Sequence, residues 1–338
     1  MALELSQNLP SPLAGSAEAC FALETVREAA LLVEEVRFGI GGVSITKQDA
    51  SPVTVGDFAA QALAGKRLRE KYPDDRLVAE ESSAPLRASG ARETLEQVLT
   101  YTRKFAPEAD AASLLQWIDH GTRKNSERFW VLDPIDGTKG FIRGDQYAVA
   151  LALVEKGQVV LGAVACPRMN APGREVADDG LLVLAVRGGG CWSGGLRSCR
   201  NFERVRVSDC ADPRKMKLLR SVEAGHTHSG RTDLFLKALG VVPEPVLMDS
   251  QAKYALLASG AGDVLFYLLP AERPDYRMKI WDVAPGAVLV EEAGGRVSDL
   301  EGKALDFTTG SRLEKNPGIL ATNGPLHEPV LDALKKIL

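Results

Sequence analysis

Two aspartates flanking a short proline turn carry the sharpest chemical signal in this 338-residue chain, in the run Asp133-Pro134-Ile135-Asp136-Gly137-Thr138. The run follows an apolar stretch, Arg128 to Leu132, which reads as a strand stopped by Pro134, so both carboxylates are expected at a strand end. Proline fixes the turn and withdraws an amide donor, while Gly137 lets the backbone come close to a ligand. Hard oxygen donors at this spacing suit magnesium, which takes carboxylates, carbonyls and substrate phosphate. The plainer alternative is an Asx-Pro turn with solvated acids.

Other acids stand in similar places. Glu80-Glu81 closes the short apolar segment Arg76 to Ala79; Asp282 follows Trp281 at a helix start, and Asp57 opens a helix after Ser51-Pro52-Val53-Thr54. Taken singly, each has a structural explanation. Asp57 and Asp282 fit as N-terminal helix acids, worth about a kcal/mol, and Glu80-Glu81 fits as a solvated strand end. Other chemistries find less support. Gly188-Gly189-Gly190 lacks the lysine-serine and following helix of a phosphate loop and reads as a hairpin turn. No G-x-S-x-G elbow is present. His226, in Glu223 to His228, reads either as a surface histidine or as a ligand contact, and no second cluster joins it to make a zinc site.

The elements that must position these groups follow from periodicity. Ala17 to Val36 predicts an amphipathic helix and Asp57 to Tyr72 a second. Residues 85 to 127 are polar and mostly helical. Tyr147 to Val154 and Val159 to Val164 predict a hairpin around Lys156-Gly157, with Leu181 to Val186 a further strand. From Arg204 strands (Met216 to Ser221, Pro245 to Met248, Val264 to Leu268) alternate with helices (Thr232 to Leu239, Ala252 to Ser259, Asp282 to Ala293). The expected architecture is an α+β or α/β layered sandwich, αβαβα, in two lobes covering 1–203 and 204–338 with the site between them.

Composition narrows the function classes. A net charge of −4 argues against a partner that is a nucleic-acid polymer. No apolar run approaches the ~20 residues needed to span a bilayer, and Met1 to Gly15 lacks a secretory signal, so a cytoplasmic location is expected, with an organelle left open. The odd, scattered cysteines Cys20, Cys166, Cys191, Cys199 and Cys210 fit a reducing compartment; Cys191 and Cys199 are the pair close enough in sequence to bridge under oxidation.

Taken as an ordered set, Pro52-Val53-Thr54 with Asp57, Glu80-Glu81-Ser82, Asp133 to Thr138, and Trp281-Asp282 with Glu292-Ala293-Gly294-Gly295 resembles the lithium-sensitive, inositol-monophosphatase-like superfamily, from about residue 20 to 325. Within it, Val55 to Gln61, the continuation Gly137 to Gly144, and Asp249-Ser250-Gln251-Ala252-Lys253-Tyr254 resemble the 3′(2′),5′-bisphosphate nucleotidases. The resemblance implies that Glu80, Asp133, Asp136, Asp282 and the Ile135 carbonyl hold magnesium, with more than one ion expected, and that Asp57 and Thr138 orient and deprotonate the attacking water. It implies Gly137, Thr138, His226, Ser250 and Lys253 at the substrate; Lys279, just before Trp281, is a further phosphate contact to expect. The implied activity is magnesium-dependent removal of the 3′ (or 2′) phosphate of adenosine 3′,5′-bisphosphate, and of its sulfated precursor, by a monomer acting on small phosphorylated molecules. An inositol polyphosphate 1-phosphatase or inositol monophosphatase, and an inactive metal- or nucleotide-binding sensor, are the alternatives. Two positions depart from the pattern: Tyr267 stands where relatives carry an arginine, which Arg273 or Arg277 could replace, and Val283 stands where they carry a histidine.

Overall fold

In the strand segments Ala148–Glu155 and Gln158–Cys166, nearly every side chain is apolar or small and buried, without the alternation of a half-wet sheet. Such strands need cover on both faces, and the computed structural model, which describes residues 9–40, 44–46, 52–120, 126–169, 179–222, 229–269 and 273–337, provides it.

A short hairpin pairs β1 (Ser44–Thr46) with β2 (Pro52–Thr54). Among the described residues the main sheet has seven strands in the order β3 (Arg76–Ala79), β4 (Arg128–Asp136), β5 (Ala148–Glu155), β6 (Gln158–Cys166), β7 (Leu181–Val186), β8 (Gly190–Gly195) and β9 (Glu203–Val205). Its β3–β4 pair is parallel, and the remaining pairs are antiparallel. One face is covered by α1 (Ala17–Ile40) and α2 (Val55–Lys71). There Phe21, Leu23 and Val26 meet Trp130, Leu151 and Leu161 in one apolar cluster. On the outer side of α2 lie α3 (Arg92–Thr102) and α4 (Ala111–Ile118), the described helices of the polar 85–127 stretch. The short helix α5 (Thr138–Arg143) follows β4.

A second sheet has the order β11 (Val246–Leu247), β10 (Leu218–Arg220), β12 (Val264–Tyr267), β14 (Ile319–Thr322), β13 (Arg296–Ser298). Between the sheets run α7 (Ala252–Ala258) and α8 (Ala284–Glu292), where Val131, Ala152 and Val154 of one sheet and Leu265 and Ala321 of the other share a core with Val288. The outer face of the second sheet carries α6 (Ser229–Leu239) and α9 (His327–Lys335), with Phe235 against Phe266 and Leu331 nearby. The layers are therefore helix, sheet, helix, sheet, helix, as expected. No helix among the described residues is long and apolar enough to cross a membrane.

The structure corrects several boundaries. β4 does not stop at Pro134 but runs on to Asp136, with a register break between Asp133 and Asp136 against β5. β3 pairs with β4 only as far as Ala79 opposite Leu132, so Pro134 lies beyond that ladder, in a bulge that needs no amide donor. The helix expected from Asp282 is a tight turn, Ile280–Asp282, followed by α8 with Pro285 in its first turn. Strands β8, β9, β13 and β14 and helix α9 were not expected. Cys191 and Cys199 are both buried and free, so they form no bridge.

Candidate active site

The parallel pairing of β3 with β4 sets the first two acids. Ala79 sits opposite Leu132, so the next residue on each strand is a carboxylate: Glu80 on one, Asp133 on the other. Side chains leaving the carboxyl ends of adjacent parallel strands converge on the same edge. The bulge then adds Asp136 one step further along. Gly137 takes φ 86°, in the left-handed region, and a Cβ there would come within 3.1 Å of Ser250 Cβ. This close approach brings the 249–251 loop onto the end of β4.

Asp57 arrives from α2. Thr54 caps that helix: its Oγ1 accepts from Gly56 N at 3.1 Å, and it donates to Asp57 Oδ2 at 2.6 Å, while Thr54 N donates to the same oxygen at 2.7 Å. Asp57 thus fills the third position of a capping box, the structural role weighed for it. It also lies close enough to Asp133 for its charge to act there. Asp282 comes from the other side, in the turn before α8. Gly162 of β6 permits that placement, since a Cβ there would come within 2.6 Å of the Pro285 carbonyl.

The five acids act on one another. Burial, then the charges of Glu80, Asp136, Asp282 and Asp57, push the Asp133 carboxyl well above its ordinary range. Burial, then Asp136 and Glu80, do the same to Asp282, with Lys279 pulling back. Asp136 rises to about 6, through burial first, against the opposing pull of Lys253 and the Gln251 amide. Asp133 Oδ1 is buried without a hydrogen-bond partner. Uncompensated carboxylates at such density are unfavourable unless a cation joins them.

Among the described residues no three carboxylate, imidazole or thiol groups form a ready-made coordination shell. The donor set nevertheless fits magnesium, which uses one or two carboxylates, keeps several waters and accepts substrate phosphate rather than a full protein cage. The Ile135 carbonyl accepts from Thr138 Oγ1 at 3.1 Å, and a second lone pair remains.

The expected substrate residues divide. Lys253 is buried, donates to Ser221 Oγ at 2.8 Å, and lies 5.4 Å from the Tyr267 ring centre. Burial lowers its ammonium to about 8, with Asp136, Asp249 and Asp282 opposing. Ser250 sits against Gly137 with φ 64°, a left-handed conformation rare for serine, and its Oγ accepts from Ala252 N at 3.2 Å. Lys279 lies 4.8 Å from the Trp281 ring centre. His226 falls outside the described residues. Tyr267 therefore offers a ring to Lys253. Arg277 donates to the carbonyls of Pro274, Tyr276 and Glu314, and Arg273 stacks on Tyr276 at 5.2 Å. Val283 is buried at the N-cap of α8.

Sequence reasoning gave no role to Gln61, Asp249 or Gln251. Gln61 is buried on α2; its Nε2 donates to the Glu81 and Ile118 carbonyls at 2.7 and 3.0 Å, and its Oε1 accepts from Glu81 N at 2.9 Å. This clamps the backbone just after Glu80. Asp249 accepts from Arg143 at 2.7 Å and from Val222 N at 3.1 Å. A polar residue inside an apolar helix stretch, as at Gln61 in Phe58 to Leu63, is the signal that could have found the first of these.

Residues 16–338 match the inositol monophosphatase family. A 3′(2′),5′-bisphosphate nucleotidase of Schizosaccharomyces pombe is 39% identical, covering 94% of this chain and 94% of its own. One of Oryza sativa is 39% identical over 98% of this chain and 96% of its own. Among solved structures, an IMPase of Thermotoga maritima matches with a TM-score of 0.66 at 22% identity, covering 95% of this chain and 98% of its own. The extragenic suppressor protein suhB of Bartonella henselae matches with 0.67 at 21%, covering 95% and 99%. These likenesses show the layered fold.

Proposed function

The chain belongs to the inositol monophosphatase family, and from that premise we propose that it is a magnesium-dependent phosphatase that removes the 3′ (or 2′) phosphate of adenosine 3′,5′-bisphosphate, leaving AMP and phosphate. The observation that carries this reading is the meeting of mutually charged carboxylates at the end of β4 with a buried lysine, Lys253, close enough to Asp136 to offset its charge.

Glu80, Asp133, Asp136, Asp282 and the Ile135 carbonyl are the residues proposed to hold magnesium. Bound there, magnesium supplies neutralisation of phosphate charge and a more acidic water. The protein's own groups do the rest. Asp57, fixed by two bonds from Thr54, is held in place to accept a proton from the attacking water. Thr138 orients that water beside the strand end. Gly137, lacking a side chain, lets Ser250 close onto the end of β4, and the two line the place where the phosphate oxygens approach. Lys253 meets the second phosphate of the nucleotide, and its desolvated ammonium acts with little competition from water.

The test compares Lys253→Ala with the unaltered protein on adenosine 3′,5′-bisphosphate and on inositol 1,4-bisphosphate. Selective loss on the nucleotide supports the reading. Equal loss on both would show that Lys253 serves the reaction and not the nucleotide.

A further inference from the structure

We propose that Gln251 is a positioning residue: its side chain and backbone together fix Asp136 relative to Asp282, and so set the affinity of the carboxylate cluster for magnesium. The proposal rests on the metal reading above.

Asp136 and Asp282 come from distant parts of the chain, at the end of β4 and in the turn before α8. Gln251 touches both neighbourhoods. Its backbone N donates to Asp136 Oδ2 at 2.6 Å. Its Nε2 donates to the Trp281 carbonyl, one residue before Asp282, at 2.9 Å, and its Oε1 accepts from Gly286 N at 3.0 Å. The residue is 1% exposed, so these bonds face no competition from water.

The last bond has a local cause. The first amides of a helix lack intrahelical partners. Val283, at the N-cap of α8, has no side-chain acceptor, and the structure shows no capping bond from it. Gln251 supplies the acceptor from another element, and in doing so ties the 249–251 loop to the segment carrying Asp282. The loop itself is under tension, because Ser250 adopts φ 64°. A left-handed non-glycine conformation persists only where its surroundings over-determine it. The side chain of Gln251 is part of that determination: it holds the loop, and the loop's amide holds Asp136.

The experiment measures magnesium binding by calorimetry, without substrate, for the unaltered protein and for Gln251→Met, which fills similar volume without the two side-chain bonds. The expected result is a dissociation constant raised about 10- to 100-fold, the usual cost of losing a residue that orients metal ligands. The magnesium needed for half-maximal activity should rise in step, while KM for the nucleotide at saturating magnesium stays within about threefold. A folded Gln251→Met with unchanged magnesium affinity overturns the proposal and leaves the metal reading standing. If that variant shows no cooperative melting, Gln251→Asn, which keeps the amide one methylene short, replaces it under the same criterion. Failure of the unaltered protein to take up magnesium overturns the metal reading, and this inference with it.

Discussion

The carboxylates of the site are held in two different ways, one on each side. Asp133 and Asp136 belong to β4, a strand paired with β5 on either side of the bulge at 134–135 and packed between apolar layers. Asp282 sits in a tight turn packed into the inter-sheet core through Ile280, Trp281 and Val283, and tied further by one bond that Gln251 donates to Trp281 and one it accepts from Gly286. The first side gets its geometry from a β-ladder and core packing, which distribute any perturbation over many contacts. The second adds to its core packing a few single buried polar groups, where losing one partner leaves another unsatisfied. The strand side should therefore tolerate changes to its carboxylates structurally while losing chemistry, and the hydrogen-bonded supports should fail structurally first.

The largest effect expected is at Asp133→Asn. Removing a buried negative charge lowers activity on the order of a thousand-fold, about 4 kcal/mol in barrier, yet raises the melting temperature of the metal-free protein, because the cluster repels itself. A variant that loses both activity and melting temperature would break the comparison. Next comes Gln61→Leu, which strips the partners from buried carbonyls of Glu81 and Ile118. A destabilisation of about 2–3 kcal/mol in denaturant unfolding is expected. A change under about 0.5 kcal/mol, the range of ordinary surface substitutions, would contradict it.

Lys253→Ala should cost about 30-fold more on the nucleotide than on inositol phosphates, the worth of one charge-assisted bond in a desolvated pocket. The smallest effect lies far from the site and serves as a baseline. His327 is buried between Ser298 and Thr322, and burial lowers its imidazole to about 4 from an ordinary 6.5. The unfolded chain takes up the proton below 6.5 and the folded one only near 4, so the stabilisation is complete above 6.5 and is lost as pH falls towards 4. His327→Gln should remove about 1–2 kcal/mol of that dependence from the difference between the two unfolding curves. Parallel curves would contradict it.

Much of the strand side is legible in the sequence. Asp133, Asp136 and Gly137 stand in one short run after an apolar strand, and local chain geometry brings them together. The apolar periods of α1, α2 and the β5–β6 hairpin announce the elements around them. The expectation that Pro134 ends the strand failed, because β3 stops two residues earlier and a bulge leaves proline nothing to donate to. The hydrogen-bonded supports on both sides are less legible. Gln61 and Gln251 are single residues with no period, and their partners lie 20 and 30 positions away or more. Strands β13 and β14 are short and stand late in the chain, where the pairing of β14 with β12 and of β13 with β14 makes them strands. Asp57 carries a further lesson, since the residue that completes the capping box of α2 also places its charge where it acts on Asp133.

The most direct test of the account is magnesium-dependent phosphate release from adenosine 3′,5′-bisphosphate, inositol 1,4-bisphosphate and inositol 1-phosphate, side by side, with Asp136→Ala as control. The account predicts a clear preference for the nucleotide in kcat/KM, AMP as product, and no release by the variant. A preference for either inositol compound, or release that persists in Asp136→Ala, would contradict it.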